Sequence, residues 1–257
     1  MLEGFCLFPV RTFPSFYFKS DSKKIPEVMG GGAREVRSIE IPLVHVQQQL
    51  SWDCGVSAVM MVLSEANRSY LKENLDYISE QEGFDKSTWT IDLAYLLHKF
   101  GIRHLYSTVT IGVNPGYSEE DFYLRVLQKD AQRINDRFSS AAVNGIQVEK
   151  RSVDMEEIID HLSSGNPAII LVNANLLFCD TCHTKKCLMQ MLSCCNSSFS
   201  YQGHYIVLCG FDSKECKVLY RNPSVLNKVC SIPYDSFETA RKSFGTDEDV
   251  LFVYFSS

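Results

Sequence analysis

Residues 167–173, Pro-Ala-Ile-Ile-Leu-Val-Asn, run apolar without a break over the length of one strand. Such a run is what a buried strand requires, so the chain is expected to build a sheet with this strand covered and the Cys54 helix packed on it. Two more strands are read after it. One is 204–211, His-Tyr-Ile-Val-Leu-Cys-Gly-Phe, and the other is 217–221; Asp212-Ser213-Lys214-Glu215 between them has hairpin-turn composition. A last strand is read at 250–254. Helices dominate the earlier half. In 54–65, Val56, Val59, Met60 and Leu63 share one face. The segment 90–100 has Thr90 placed as an N-cap and Gly101 just beyond its end. A third helix, 119–138, turns Tyr123, Val126, Leu127, Ile134 and Phe138 inward, and a fourth runs from the capping-box-like Asp154-Met155-Glu156-Glu157 to Gly165. Helices first and an antiparallel sheet later predict an α+β fold.

Charge and cysteine content narrow the function classes. Among 257 residues, 25 Lys and Arg stand against 31 Asp and Glu, a net charge of −6, which argues against a basic nucleic-acid face. No apolar run approaches the ~18 residues of a membrane span. Ten cysteines suit thiol or metal chemistry in a reducing compartment better than a secreted disulfide framework. Glu3 stands where a signal peptide needs a base, and Pro9 and Pro14 interrupt the apolar stretch, so a cytoplasmic location is expected, with the nucleus also open. Residues 1–37 show neither strand nor helix period and read as a variable tail outside the core. Residues 38–257 read as one domain with a cysteine-rich insertion at about 179–200.

The segment richest in chemistry is Gln47-Gln48-Gln49-Leu50-Ser51-Trp52-Asp53-Cys54-Gly55. It ends with a cysteine at a helix start, where the positive end of the helix dipole is expected to lower the thiol pKa. Gln48 is placed to donate its side-chain amide to an oxyanion beside the Cys54 N–H. A nucleophilic thiol needs a base, and His204 heads a strand in Gln202-Gly203-His204-Tyr205. The hairpin brings the start of that strand against the end of the next, where Asn222 precedes Pro223 and can orient the imidazole. Cys54, His204 and Asn222 in that order follow the logic of Cys-His-Asn hydrolases.

These residues resemble the papain-like superfamily, with a motif similar to that of the C39 peptidases that trim bacteriocin leaders. Those peptidases carry Asp before the Pro where this chain has Asn222; papain-like enzymes use Asn. A match over about 39–254 is closer still. Trp52-Asp53-Cys54-Gly55, Trp89-Thr90-Ile91-Asp92-Leu93-Ala94-Tyr95-Leu96, Tyr201-Gln202-Gly203-His204 and Gly245-Thr246-Asp247-Glu248-Asp249 resemble the family of guanylyl cyclase domain-containing protein 1. Plant relatives in that family are described as soluble guanylyl cyclases, so the resemblance implies two activities. The residues point to a papain-like thiol hydrolase of peptides or other amides, needing no cofactor. The family name points to a cyclase requiring Mg²⁺ or Mn²⁺. A non-catalytic interaction protein on the same fold is the third reading. Lys99-Phe100-Gly101-Ile102 fits the opening of a permissive cyclase-centre pattern, but reads better as a helix end, a C-cap glycine and the next strand. The acidic run Asp247-Glu248-Asp249 offers Mg²⁺ ligands, yet reads first as a solvated turn.

A second cysteine cluster comprises Cys179, Cys182, Cys187, Cys194 and Cys195. It contains one C-x2-C pair, and reads as a structural zinc site or as reduced thiols on an insertion loop, with zinc favoured. Trp89, Tyr95 and Phe100 read as core. Cys209, Cys216 and Cys230 read as scattered thiols. A peptide or protein substrate is the expected partner.

Overall fold

The computed structural model describes residues 38–84, 86–119, 121–180 and 201–255. Along the chain these form β1 (Ser38–Glu40), α1 (Cys54–Val62), α2 (Glu65–Glu73), α3 (Leu75–Glu82), α4 (Thr90–Lys99), β2 (Arg103–Thr108), a 3₁₀ turn (Pro115–Glu119), α5 (Asp121–Ser140) and β3 (Val148–Lys150). There follow α6 (Met155–Ser163), β4 (Ala168–Asn173), β5 (Gly203–Asp212), β6 (Lys217–Arg221), β7 (Cys230–Pro233), α7 (Tyr234–Arg241) and β8 (Val250–Tyr254). The proposed tail at 1–37 and most of the cysteine-rich insertion lie outside the described residues.

The apolar run of 167–173 is β4, and every one of its residues is buried. It sits inside a sheet ordered β3-β2-β8-β4-β5-β6-β7, with β1 added on β5. The fold is α+β, and its pairings are antiparallel apart from β2 with β3. Helices do not all precede the sheet, since β2 and β3 come before β4 in the chain. The strand read at 250–254 is interior: β8 lies between β2 and β4 and joins the two parts of the sheet.

Local chemistry sets several element ends. The Asp154 carboxylate accepts the Glu157 N–H at 2.8 Å, as the capping pattern requires, while the Glu157 carboxylate turns to Arg151 at 2.6 Å. At the end of α4 the N–H of Gly101, at φ +70°, bonds the His98 carbonyl and that of Ile102 bonds the Leu97 carbonyl. This is a Schellman ending, so residues 99–102 are a helix stop, as expected from their composition. The N-cap of α4 is a correction. Trp89 holds that position, its N–H bonded by the Asp92 carboxylate at 2.9 Å, and Thr90 is the first helical residue. Its hydroxyl is thereby released for a different task.

Helix α1 is buried at all nine positions, so it runs through the core rather than along its surface. It packs on β5 and α4. Gly55 makes that approach possible, because a Cβ there would lie 3.0 Å from both Leu93 methyls and from a Tyr205 ring carbon. Gly210 is tighter still. β5 has an irregular register between Leu208 and Gly210, and a Cβ at 210 would meet the Ile39 carbonyl oxygen of β1 at 2.0 Å. Backbone cannot step aside as a flexible side chain can. Gly210→Ala is therefore expected to detach β1 or to lower stability by about 2 kcal/mol or more, measured as a reduced urea midpoint with the slope unchanged.

Candidate active site

One end of the sheet gathers the polar groups. β4 runs antiparallel to β5 with Val172 opposite His204, and β6 runs antiparallel to β5 with Arg221 opposite Val207. The hairpin turn is tied by Asp212 Oδ1, which accepts the Lys214 and Glu215 N–H groups at 3.0 and 3.1 Å. His204 at the start of β5 and Asn222 just past the end of β6 then meet, with His204 Nε2 2.9 Å from Asn222 Oδ1.

The hydrogen bonds around Asn222 fix the imidazole tautomer. Asn222 Oδ1 also lies 2.9 Å from the Ser224 backbone N–H, a group that can only donate. The shared Asn222 atom is therefore the oxygen, and His204 Nε2 must carry the proton it donates. Nδ1 of the neutral ring is left as a base. Ser224 completes the frame: its hydroxyl donates to Gln48 Oε1 at 2.8 Å and lies 3.3 Å from His204 Nε2. Sequence reading missed Ser224. Its signal lay in the hairpin register, since counting outward from Arg221 opposite Val207 brings Ser224 level with His204.

Gln48 is held from two sides. Its N–H donates to the Pro223 carbonyl at 3.0 Å, and its side-chain amide donates to the Leu50 carbonyl at 2.8 Å. An amide nitrogen carries two hydrogens, so one remains for a ligand. The loop leading to α1 closes on Asp53, whose carboxylate accepts from Gln49 N–H and Leu50 N–H, each at 3.1 Å. Asp53 thus shapes the loop rather than capping the helix by its side chain.

Cys54 opens α1 and is buried. The Tyr205 backbone N–H donates to its sulfur, so the thiol lies against the peptide group that follows His204. The expected depression of its pKa is overturned. Burial pushes the thiol up, and the Asp53 charge adds to that; the amides of Tyr205 and Gly55 oppose it without prevailing. At neutral pH the free thiol is therefore protonated.

The acidic turn also departs from expectation. Asp249 is buried, accepts the Thr90 hydroxyl and has its pKa pushed up to about 7 by burial and by the charge of Asp247. Asp247 Oδ1 takes Thr110 Oγ1 at 2.8 Å and Asn114 Nδ2 at 3.1 Å, while Glu248 Oε2 takes Ser152 Oγ at 2.5 Å. The three carboxylates thus turn to three separate sets of protein donors. That arrangement does not fit a shared divalent cation. Among the described residues no group of three or more His, Cys, Asp or Glu could hold a metal ion. Of the proposed zinc ligands, Cys179 is half-buried against the core, and Cys182, Cys187, Cys194 and Cys195 lie outside the described residues. Among the described residues Cys54, Cys209 and Cys216 are unbridged thiols. No helix among the described residues is long and apolar enough to cross a membrane.

A family model described as guanylylate cyclase matches residues 43–253, a span that contains Gln48, Cys54, His204 and Asn222. The chain belongs to this family. Guanylyl cyclase 1 of Arabidopsis thaliana is 39% identical over 249 residues, covering 94% of this chain and 86% of the plant protein. Among solved structures, a C39-like peptidase from Bacillus anthracis is similar with a TM-score of 0.44 and 16% identity, covering 84% of this chain and 96% of the other. A likeness of that size says nothing of chemistry, which has to be argued from the site.

The site geometry sets the pH behaviour of the thiol. Alkylation of Cys54 by iodoacetamide is expected to be slow at pH 7 and to rise only above pH 9.0, the ordinary thiol value, because burial favours the neutral form. Site-specific mass spectrometry over pH 5–10 checks this; a plateau of fast alkylation below pH 7 would mean that a preformed thiolate–imidazolium pair wins over burial.

Proposed function

We propose that this chain is a thiol hydrolase of amide bonds, with Cys54 as nucleophile, His204 as base, Asn222 as the group that orients His204, and Gln48 as an oxyanion donor. One observation carries this reading. Asn222 Oδ1 accepts the Ser224 N–H and so takes the His204 proton on Nε2, which puts the lone pair of the neutral ring on Nδ1, on the residue whose following amide contacts the Cys54 sulfur.

The reaction follows from those roles. His204 Nδ1 takes the thiol proton as sulfur bonds to the substrate carbonyl carbon, and the carbonyl electrons pass to oxygen. The oxyanion receives the spare Gln48 amide hydrogen and the Cys54 backbone N–H. When the carbon–nitrogen bond breaks, the imidazolium returns its proton to the departing amine, leaving a thioester. Water, deprotonated by His204, then attacks the thioester and releases the acid and the thiol. The raised thiol pKa suits this order, because proton transfer is coupled to attack and no charge is buried at rest. The substrate class expected is a peptide or other amide presented at the His204 end of the sheet.

A second reading, cyclisation of GTP, is favoured by the family and by the name of the plant relative. The two readings separate on Cys54. In the thiol reading, Cys54→Ala abolishes amide turnover, His204→Ala lowers it by about 10²–10⁴ and Gln48→Ala by about 10². Trapping a thioester by mass spectrometry with an activated amide or ester panel is the direct check. Cyclic nucleotide formed from GTP and Mn²⁺ at the same rate by wild type and Cys54→Ala, with no acyl adduct, would establish the cyclase reading instead.

A further inference from the structure

The buried carboxyl of Asp249 is joined to Cys54 by a short chain of groups. Asp249 Oδ2 accepts the Thr90 hydroxyl, and the same hydroxyl lies 3.0 Å from the Tyr205 hydroxyl. Tyr205 in turn packs its ring where Gly55 leaves room, and its backbone N–H donates to the Cys54 sulfur. The strands place the ends of this chain together: the Leu171 N–H bonds the Asp249 carbonyl at 3.2 Å, and Leu171 pairs with Tyr205. The other titratable or polar groups facing the carboxyl are Asp247 in the preceding turn and Tyr106 and Thr108 on β2. Tyr106 itself is held neutral by burial and by the neighbouring Asp249. Asp249 Oδ1 is buried without a hydrogen-bond partner among the described residues.

We propose that Asp249 is a positioning residue for the Cys54 thiol, acting through Thr90 and Tyr205, and that its ionisation restrains the thiol as pH rises. The inference rests on Cys54 being the reactive group. The physics is directional. A neutral carboxylic acid can donate to Thr90 Oγ1 and let Thr90 donate onward to Tyr205. A carboxylate can only accept, so ionisation turns the Thr90 hydroxyl to Asp249 and the Tyr205 hydroxyl to Thr90. The re-seated Tyr205 hydroxyl bears on the residue whose amide contacts the sulfur, so the change reaches the thiol through Thr90 and Tyr205. Asp249 titrates at about 7, so this reversal falls near neutrality.

The test compares Cys54 alkylation rates in wild type and Asp249→Asn across pH 5–9, with Thr90→Val and Thr90→Ser alongside. Below about pH 6 the Asp249→Asn and wild-type rates should converge; above about pH 7.5 the variant should alkylate about fivefold faster, the worth of one net hydrogen bond. Thr90→Val should remove the pH-dependent difference, and Thr90→Ser should restore it. A rate ratio independent of pH overturns the proposal. His204→Ala in the same series reads the thiol–imidazole pairing separately, so a failure of the hydrolase reading is not confused with a failure of this one. Should Asp249→Asn fold poorly, the wild-type chain alone still decides. A carboxyl whose pKa is raised in the folded state contributes stability that is complete below its unfolded value of 3.8 and is lost as pH rises to about 7. The Asp249 carboxyl carbon, followed by carbon-13 NMR in the wild-type chain, should therefore titrate near the top of that window, and a midpoint near 3.8 overturns the buried titration on which the proposal depends.

Discussion

The register of β5 is the constraint on which the rest of this molecule depends. The strand is buried over most of its length and is paired with β4 on one side, with β6 on the other, and with β1 beyond the end of β4. A slip of one residue would exchange every buried face, so burial and pairing together leave it one position. That position puts His204 beside Asn222 and Ser224, Tyr205 against Gly55, and Gly210 under the β1 backbone. The candidate site is thus a consequence of how a central strand is fixed, and its geometry inherits the rigidity of the sheet.

Cys54 shows two electrostatic effects in competition. A helix N-terminus favours a thiolate, by an amount that falls off within the first turn. Full burial disfavours any charge and has no such limit. Here burial prevails, because α1 is enclosed on all sides and its first residue is enclosed with it. Asp53 adds to the same side: it organises the loop that carries Gln48 while setting a negative charge beside the sulfur. The resting thiol is consequently neutral, and in the proposed hydrolase reaction its activation falls to His204 Nδ1 and the frame that orients it.

Much of this was legible from the residues alone, for identifiable reasons. The strands at 168–173, 203–212, 217–221 and 250–254 declare themselves through apolar runs and a turn with Asp at its head. The meeting of His204 with Asn222 was legible because a hairpin converts sequence spacing into proximity. What escaped was structure whose signal is not periodic. A strand was expected after Gly101, but the extent of β2 was not, because it buries Ser107 and Thr108 and its inner positions look polar. β1 and β3 are three residues long and exist only because a partner strand is present. α2 has one buried residue, Leu71, and α7 buries Arg241, which donates to the Val153 carbonyl at 2.7 Å. In each case tertiary contact supplies what local pattern lacks.

The acidic turn illustrates why composition misleads at one place in particular. Three consecutive carboxylates read as solvent-facing, and two of them, Asp247 and Glu248, adopt left-handed backbone at φ +48° and +53°. Non-glycine residues hold that conformation only when their surroundings over-determine it. The surroundings do so here through side chains from three distant segments, namely Thr110 and Asn114, Ser152, and Thr90. The turn is therefore a clasp that joins β2, the segment before α6 and the start of α4, and the carboxyl it drives inward is the one it leaves least hydrated. Thr90 connects the two halves of the argument. The backbone of Trp89 and the carboxylate of Asp92 take over the helix start, which releases the Thr90 hydroxyl to bridge Asp249 and Tyr205. A residue that local sequence assigns to capping is thus free to couple the clasp to the strand that carries the site.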